Sequence, residues 1–99
     1  MKLFYVYIVE CSDKSYYTGF TSNLDKRIVE HNVGTHDNAY TLKRRPVILK
    51  WTEQFTDPNQ AIAVEKQIKG WSHKKKKALI EGKWEDLVEF SKNFRNRNS

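Results

Sequence analysis

The sequence predicts an α+β domain in which a three-stranded antiparallel or mixed sheet is flanked by helices, in the order ββαβααα. Three observations carry this. Residues 2–11, KLFYVYIVEC, are β-branched or aromatic on both alternating faces, the pattern of a strand covered on two sides. A second strand pattern follows closely, and after it the apolar period lengthens from that of a strand to that of a helix. A chain of 99 residues, 38% hydrophobic and 13% aromatic, can close one small layered core, and global disorder is excluded.

The elements follow in order. Ser12, Asp13, Lys14 and Ser15 are turn formers, and Tyr16 to Phe20 resumes a strand, so the chain opens with a β-hairpin whose first strand is central. Thr21 or Ser22 caps a helix on which Leu24, Ile28 and His31 recur at helical spacing until Asn32 and Gly34 stop it. Residues 35–45 lack periodicity and carry His36, Asp37, Asn38 and a basic cluster, which predicts a mobile loop. Pro46 opens a third strand, Val47 to Phe55, where a missing backbone donor is tolerated. Asp57-Pro58 has the form of an N-cap followed by proline at the first helical position and starts a helix through about Lys69. Ser72 caps the next helix, and residues 83–94 form one more, with Trp84, Leu87, Val88 and Phe94 as its apolar positions. Residues 1–94 are thus expected to be a single domain and 95–99 a frayed tail.

Composition excludes several function classes. No stretch approaches the roughly 18 apolar residues of a membrane span, and MKLFYVYIVECSDK reaches charge too soon for a secretory signal, so a soluble, cytoplasmic protein is expected. One cysteine, Cys11, and three scattered histidines, His31, His36 and His73, match no zinc spacing, so any metal must be held by oxygen. The net charge of +6 lies within residues 1–80, because residues 81–99 carry four charges of each sign. Residues 38–52, with Lys43, Arg44, Arg45 and Lys50, lack acids, as do residues 66–80, with Lys66, Lys69, Lys74, Lys75, Lys76 and Lys77. Such stretches suit polyanion contact with strong salt dependence, and they equally suit solvated helix faces.

Three signals bear on chemistry. Tyr7 and Tyr17 lie mid-strand in the hairpin, which brings two phenols close; a buried phenol either packs with its hydroxyl satisfied or donates to phosphate and takes part in proton transfer. Arg27 and His31, four apart, share a face of the first helix at the margin of the core. That guanidinium either grips phosphate and offsets transition-state charge, or it pairs with a nearby carboxylate; the imidazole either shuttles protons or packs. In the helix from Pro58 the apolar stripe is Ala61, Val64, Ile68 and Trp71, and Glu65 falls beside it. A carboxylate turned inward needs a cation, either a basic side chain or a hard divalent metal, and magnesium accepts a single carboxylate together with water and phosphate oxygens. No Gly-rich phosphate loop, Cys–His dyad or carboxylate pair is present.

Tyr5-Val6-Tyr7, followed by Tyr17-Thr18-Gly19, resembles the signature of the GIY-YIG nucleases. YTGFTSNLDKRIVEHN, residues 17–32, is similar to that family's strand, capped turn and helix, with Arg27 and His31 at the family's arginine and histidine, and Glu65 falls where the family has its metal-ligand glutamate. The likeness runs from about Lys2 to about Glu81 and is greatest to small single-domain bacterial members that look like the nuclease part of the excision-repair excinuclease. It implies a DNA endonuclease, linked to repair, with Tyr7 and Tyr17 at the scissile phosphate and one tyrosine helping to activate water. Arg27 would stabilise developing charge, His31 support proton transfer or phosphate binding, and Glu65 hold Mg²⁺ or Mn²⁺, while Gly19 lets backbone approach closely. Tyr5, Thr18 and Phe20 depart from the pattern; Phe20 stands where repair-type members often carry lysine, which implies either a slow reaction or electrostatic aid from a basic residue elsewhere.

Two other functions compete. A non-catalytic module of the same fold would hold nucleic acid through Arg44, Arg45 and Lys74 to Lys77 and hand it to a protein partner. An interaction protein would present Trp51, Trp71 and Trp84 as a protein-binding patch.

Overall fold

A computed structural model describes residues 1–35 and 38–83. Its elements are β1 (Phe4–Glu10), β2 (Tyr16–Thr21), α1 (Leu24–Val33), α2 (Ala39–Leu42), β3 (Ile48–Phe55), α3 (Pro58–Lys69) and α4 (His73–Ile80). The sheet order is β2-β1-β3 and both pairings are antiparallel, so the fold is α+β with β1 central. The helix expected over 83–94 and the tail after it lie outside the described residues, apart from Lys83.

The double-faced pattern of β1 is used in full. Val6 and Ile8 pack into a core with Phe55, Ala61, Val64, Ile68, Ala78 and Leu79, which places α3 and α4 on one face of the sheet. Tyr7, Val9 and Cys11 turn the other way, against Val47, Leu24 and Ile28, which places α1 on the opposite face. Burying large side chains on both sides stabilises a strand that no single-faced sheet could hold.

The local signals of the second half act as expected. Asp57 accepts a hydrogen bond from Asn59 N with Pro58 in the first turn, and the Ser72 side chain accepts from Lys75 N, so both helices start where capping chemistry predicts. At α1 the cap falls after both expected residues, two beyond Thr21 and one beyond Ser22. Asn23 is the N-cap, its side chain accepting from Lys26 N, while the Thr21 hydroxyl is occupied by accepting from Asn23 N. Gly34 ends α1 in the left-handed region at φ 83°, as its place after the periodic run predicts.

The expected loop between α1 and β3 contains a helix. Asn38 caps α2 by accepting from both Tyr40 N and Thr41 N, and Thr41 is buried beneath it. Four residues are too short to show an apolar period, so capping and burial, not patterning, create this turn. β3 begins at Ile48 instead of Val47. Val47 is held at the strand's entrance by Asn32, whose amide donates to Val47 O at 3.1 Å and accepts from Val47 N at 2.7 Å.

Candidate active site

Tyr7 is fully buried on the α1 face of the sheet, directly across from Gly19 in the β1–β2 register. A Cβ at Gly19 would lie 2.8 Å from Tyr7 Cε1 and closer still to Cζ and Oη, so the phenol ring rests on the glycine backbone. The close approach expected at Gly19 is therefore made by the chain's own tyrosine. Tyr17 stands diagonally from Tyr7, opposite Val9, so the two phenols share a face without being direct cross-strand partners.

His31 joins them. Tyr7 Oη lies 2.9 Å from His31 Nε2, and His31 Nδ1 lies 2.9 Å from Thr41 Oγ1. The imidazole is fully buried, deeper than the core margin expected for it, and it meets both phenol rings edge-on, with centroids 5.9 Å from Tyr7 and 5.6 Å from Tyr17. Burial pushes the Tyr7 phenol up to about 12, with the Arg27 guanidinium pulling it down and Tyr17 and Glu65 adding smaller upward pushes. Tyr7 thus feels Arg27, Tyr17 and Glu65 together. Four of the five sequence-derived groups couple electrostatically, and His31 is bonded to the same phenol.

Arg27 is half-buried. Its Nη1 donates to Phe20 O at 3.2 Å, and Nε lies 3.4 Å from a Glu30 carboxylate oxygen while making no hydrogen bond. The carboxylate partner that helix spacing allowed is therefore present, three residues on, and it leaves the guanidinium only partly committed.

Glu65 points inward, its side chain 17% exposed, and the cation it needs is Lys69, whose Nζ lies 3.3 Å from Oε2. Lys69 is 46% exposed, so the pair is open on one side. The same ammonium stands 5.5 Å over the ring of Tyr17, so α3 reaches past the edge strand β2 to the phenols. A basic residue thus meets Tyr17 from α3, while Phe20 stacks on Phe4 with centroids 5.9 Å apart, in the core of the other face. No group of three or more His, Cys, Asp or Glu gathers among the described residues. This donor set does not suit a metal that needs an all-protein cage. It fits a hard divalent cation that takes one carboxylate, waters and phosphate oxygens, and Lys69 already holds positive charge at that carboxylate.

The basic residues divide. Lys43, Arg45, Lys74 and Lys77 are exposed, and Lys74, Lys75 and Lys77 line an open groove of 530 Å³ along α4 with Ser72, Glu81 and Lys83. Lys75 lies over the Trp71 ring at 4.5 Å. Arg44 is partnered: its Nε donates to Asp13 at 3.0 Å, Nη1 donates to Tyr40 O, and the guanidinium covers the Tyr40 ring at 4.0 Å, so it ties α2 to the β1–β2 turn. Lys76 is buried on the inner side of α4, where burial and Lys69 push its pKa down. Trp51 and Trp71 pack half-buried against the core instead of forming an exposed patch, and Trp84 lies outside the described residues.

Sequence reasoning missed Asn38 and Thr41. Asn38 Nδ2 donates to Tyr17 Oη at 2.7 Å, and Tyr40 stacks on Tyr17 with centroids 6.0 Å apart. The one available signal was Asn38 as a cap type two and three residues ahead of Tyr40 and Thr41.

The family of the GIY-YIG catalytic domain matches residues 3–78. The UPF0213 protein SH2523 of Staphylococcus haemolyticus is 46% identical over 77 residues, covering 78% of this chain and 93% of that protein. The solution NMR structure of protein EF2693 from E. faecalis is 36% identical with a TM-score of 0.58, over 83% of this chain and 86% of that one. That of the UPF0213 protein BH0048 from Bacillus halodurans is 39% identical with a TM-score of 0.53, over 80% and 83%. The family match over most of the chain and the identity to these relatives show that the chain belongs to the GIY-YIG family, a family of nuclease type, among relatives that are small UPF0213 proteins.

Proposed function

We propose that this chain is a metal-dependent endonuclease-type phosphodiesterase that hydrolyses DNA at a site of Tyr7, Tyr17, Arg27, His31 and Glu65. The observation that carries this is the convergence on one phenol: Tyr7 Oη is bonded to His31 and sits within the fields of Arg27, Tyr17 and Glu65. Groups whose charges act on one buried phenol suit a charged transition state.

Each residue has a task its environment suits. Arg27, donor-only and only partly committed to Phe20 O and Glu30, takes the non-bridging phosphate oxygens and offsets the charge that grows on them. Tyr7, held protonated by burial, stays a phenol and keeps His31 in register. Tyr17, half-buried at the edge strand, meets the attacking water. Glu65 holds Mg²⁺ or Mn²⁺, which when bound supplies Lewis-acid stabilisation and a lowered water pKa. Lys43, Arg45, Lys74, Lys75 and Lys77 hold the nucleic acid backbone. Incubation with plasmid and single-stranded DNA plus Mg²⁺ or Mn²⁺ tests this. Cleavage that disappears in Glu65→Gln is expected, and equal product from wild type and Glu65→Gln would overturn the proposal.

The Lys69–Glu65 contact favours a second reading, because it satisfies the carboxylate without metal. In that reading the chain is a nucleic-acid-binding module that does not cut. It predicts no cleavage, with DNA affinity unchanged or improved in Glu65→Gln and weakened across sequences when Lys74 and Lys77 are neutralised.

A further inference from the structure

The two phenols of the site are tied to one short element, Tyr17 directly and Tyr7 through His31. Thr41 and Asn38 both belong to the α2 turn, Thr41 facing His31 and Asn38 facing Tyr17. Donor and acceptor capacity decides what each bond does. An amide nitrogen can only donate, so Tyr17 Oη accepts from Asn38 Nδ2 at 2.7 Å, and the phenol's own proton stays uncommitted among the described residues. Tyr7 Oη and His31 Nε2 lie 2.9 Å apart, and His31 Nδ1 and Thr41 Oγ1 lie 2.9 Å apart, so the imidazole links the Tyr7 hydroxyl to α2. With the hydrogen on Nδ1, that hydrogen goes to Thr41 Oγ1 and a bare Nε2 takes the Tyr7 O–H; with the hydrogen on Nε2, both bonds run the other way.

We propose that Asn38 and Thr41 are positioning residues of the site: Thr41 fixes His31 in the tautomer that captures the Tyr7 proton, and Asn38 turns the Tyr17 proton toward substrate. This rests on the nuclease reading above and adds a division of labour between the phenols. The hydroxyl of Tyr7 is committed inward. That of Tyr17 is presented outward.

The cap role of Asn38 is separable from its role toward Tyr17. Its Oδ1 accepts from Tyr40 N and Thr41 N, whereas its Nδ2 donates to Tyr17. Asn38→Asp keeps the cap acceptor and removes the donor. Thr41→Val keeps the shape and removes the hydroxyl, and Thr41→Ser restores the hydroxyl. Around Tyr17 the other polar or charged neighbours are Lys69 over the ring, the edge of His31, Tyr40 stacked on it, and Tyr7 through its field. None of these is altered by the substitutions.

Two readouts test it on the full chain. In ¹⁵N NMR of the imidazoles, wild type is expected to show the Nδ1–H tautomer of His31, Thr41→Val a mixture, and Thr41→Ser the wild-type pattern. In ¹³C NMR of ring-labelled tyrosine, Asn38→Asp is expected to move the Tyr17 Cζ resonance and leave that of Tyr7 in place. With DNA and Mn²⁺, Thr41→Val and Asn38→Asp are each expected to lower kcat about tenfold, the loss of one oriented hydrogen bond, with KM within about twofold. Wild-type tautomer and kcat in Thr41→Val, or an unmoved Tyr17 resonance in Asn38→Asp, overturns the proposal. So does a Thr41→Ser variant that folds yet fails to restore the tautomer. Absence of cleavage by wild type overturns the nuclease reading instead, and the two NMR readouts then decide the hydrogen-bond assignment by themselves.

Discussion

Gly19→Ala is the sharpest test of how the site is built. A methyl at this position would stand 2.8 Å from Tyr7 Cε1 and nearer to Cζ and Oη, against ordinary carbon contacts of about 3.5–4.0 Å. Tyr7 has no room to retreat, being fully buried and bonded to His31 at 2.9 Å. Either the ring moves by about an ångström and breaks that bond, or β1 and β2 separate. Overpacking of this kind costs about 1–3 kcal/mol, and a buried hydroxyl and imidazole left unpaired cost about 1–3 kcal/mol more. Partial relaxation makes about 3 kcal/mol a fair expectation, which lowers Tm by about 12–24 °C in a domain of this size. The assay is urea unfolding in a double-mutant cycle with Tyr7→Ala. Once the ring is gone, Gly19→Ala should be neutral or stabilising by about 0.5 kcal/mol, because alanine loses less backbone entropy than glycine in a strand. A cost below about 1 kcal/mol in the wild-type background, or the same cost in both backgrounds, refutes the claim that Gly19 is there to seat Tyr7.

Three further outcomes follow from the same geometry. Because the folded Tyr7 phenol is pushed up to about 12 from 10.0, the native state keeps a proton that the unfolded chain gives up. Stability is then intact below about pH 10 and falls by about 2–3 kcal/mol as pH rises to about 12, a slope in urea midpoints that Tyr7→Phe should flatten. Neutralising Lys74 and Lys77 together should reduce the slope of log affinity against log salt for duplex DNA by about 2, whereas Arg44→Gln should leave that slope alone and cost about 1 kcal/mol of stability; equal salt slopes in both variants would contradict the division of basic residues. Lys69→Met frees Glu65 from its ammonium, so Mn²⁺ affinity, read by electron paramagnetic resonance, should rise about threefold, as expected for removal of a partly exposed ion pair worth about 0.5–1 kcal/mol; an unchanged or weaker affinity would show that Lys69 does not compete for the carboxylate.

Features that rest on neighbours a few residues apart were legible in the amino-acid order. The double-faced apolar pattern of β1, the Asp57-Pro58 and Ser72 starts of α3 and α4, and the Gly34 stop of α1 are local preferences, and the fold obeys them. The inward set of Glu65 was legible for the same reason, since helical periodicity fixes which face a residue joins. The partners of these residues came only with packing. The bonds that make the site span 24 residues from Tyr7 to His31, 21 from Tyr17 to Asn38 and 10 from His31 to Thr41. No periodicity connects such positions; α2 exists because Asn38 caps it and Thr41 is buried beneath it. Packing likewise drew Arg44 onto Asp13 and Tyr40, turned Lys76 inward, and brought Lys69 to both Glu65 and Tyr17. A charge in the sequence is only a capacity, and its use is set by whichever partner the folded chain places within reach.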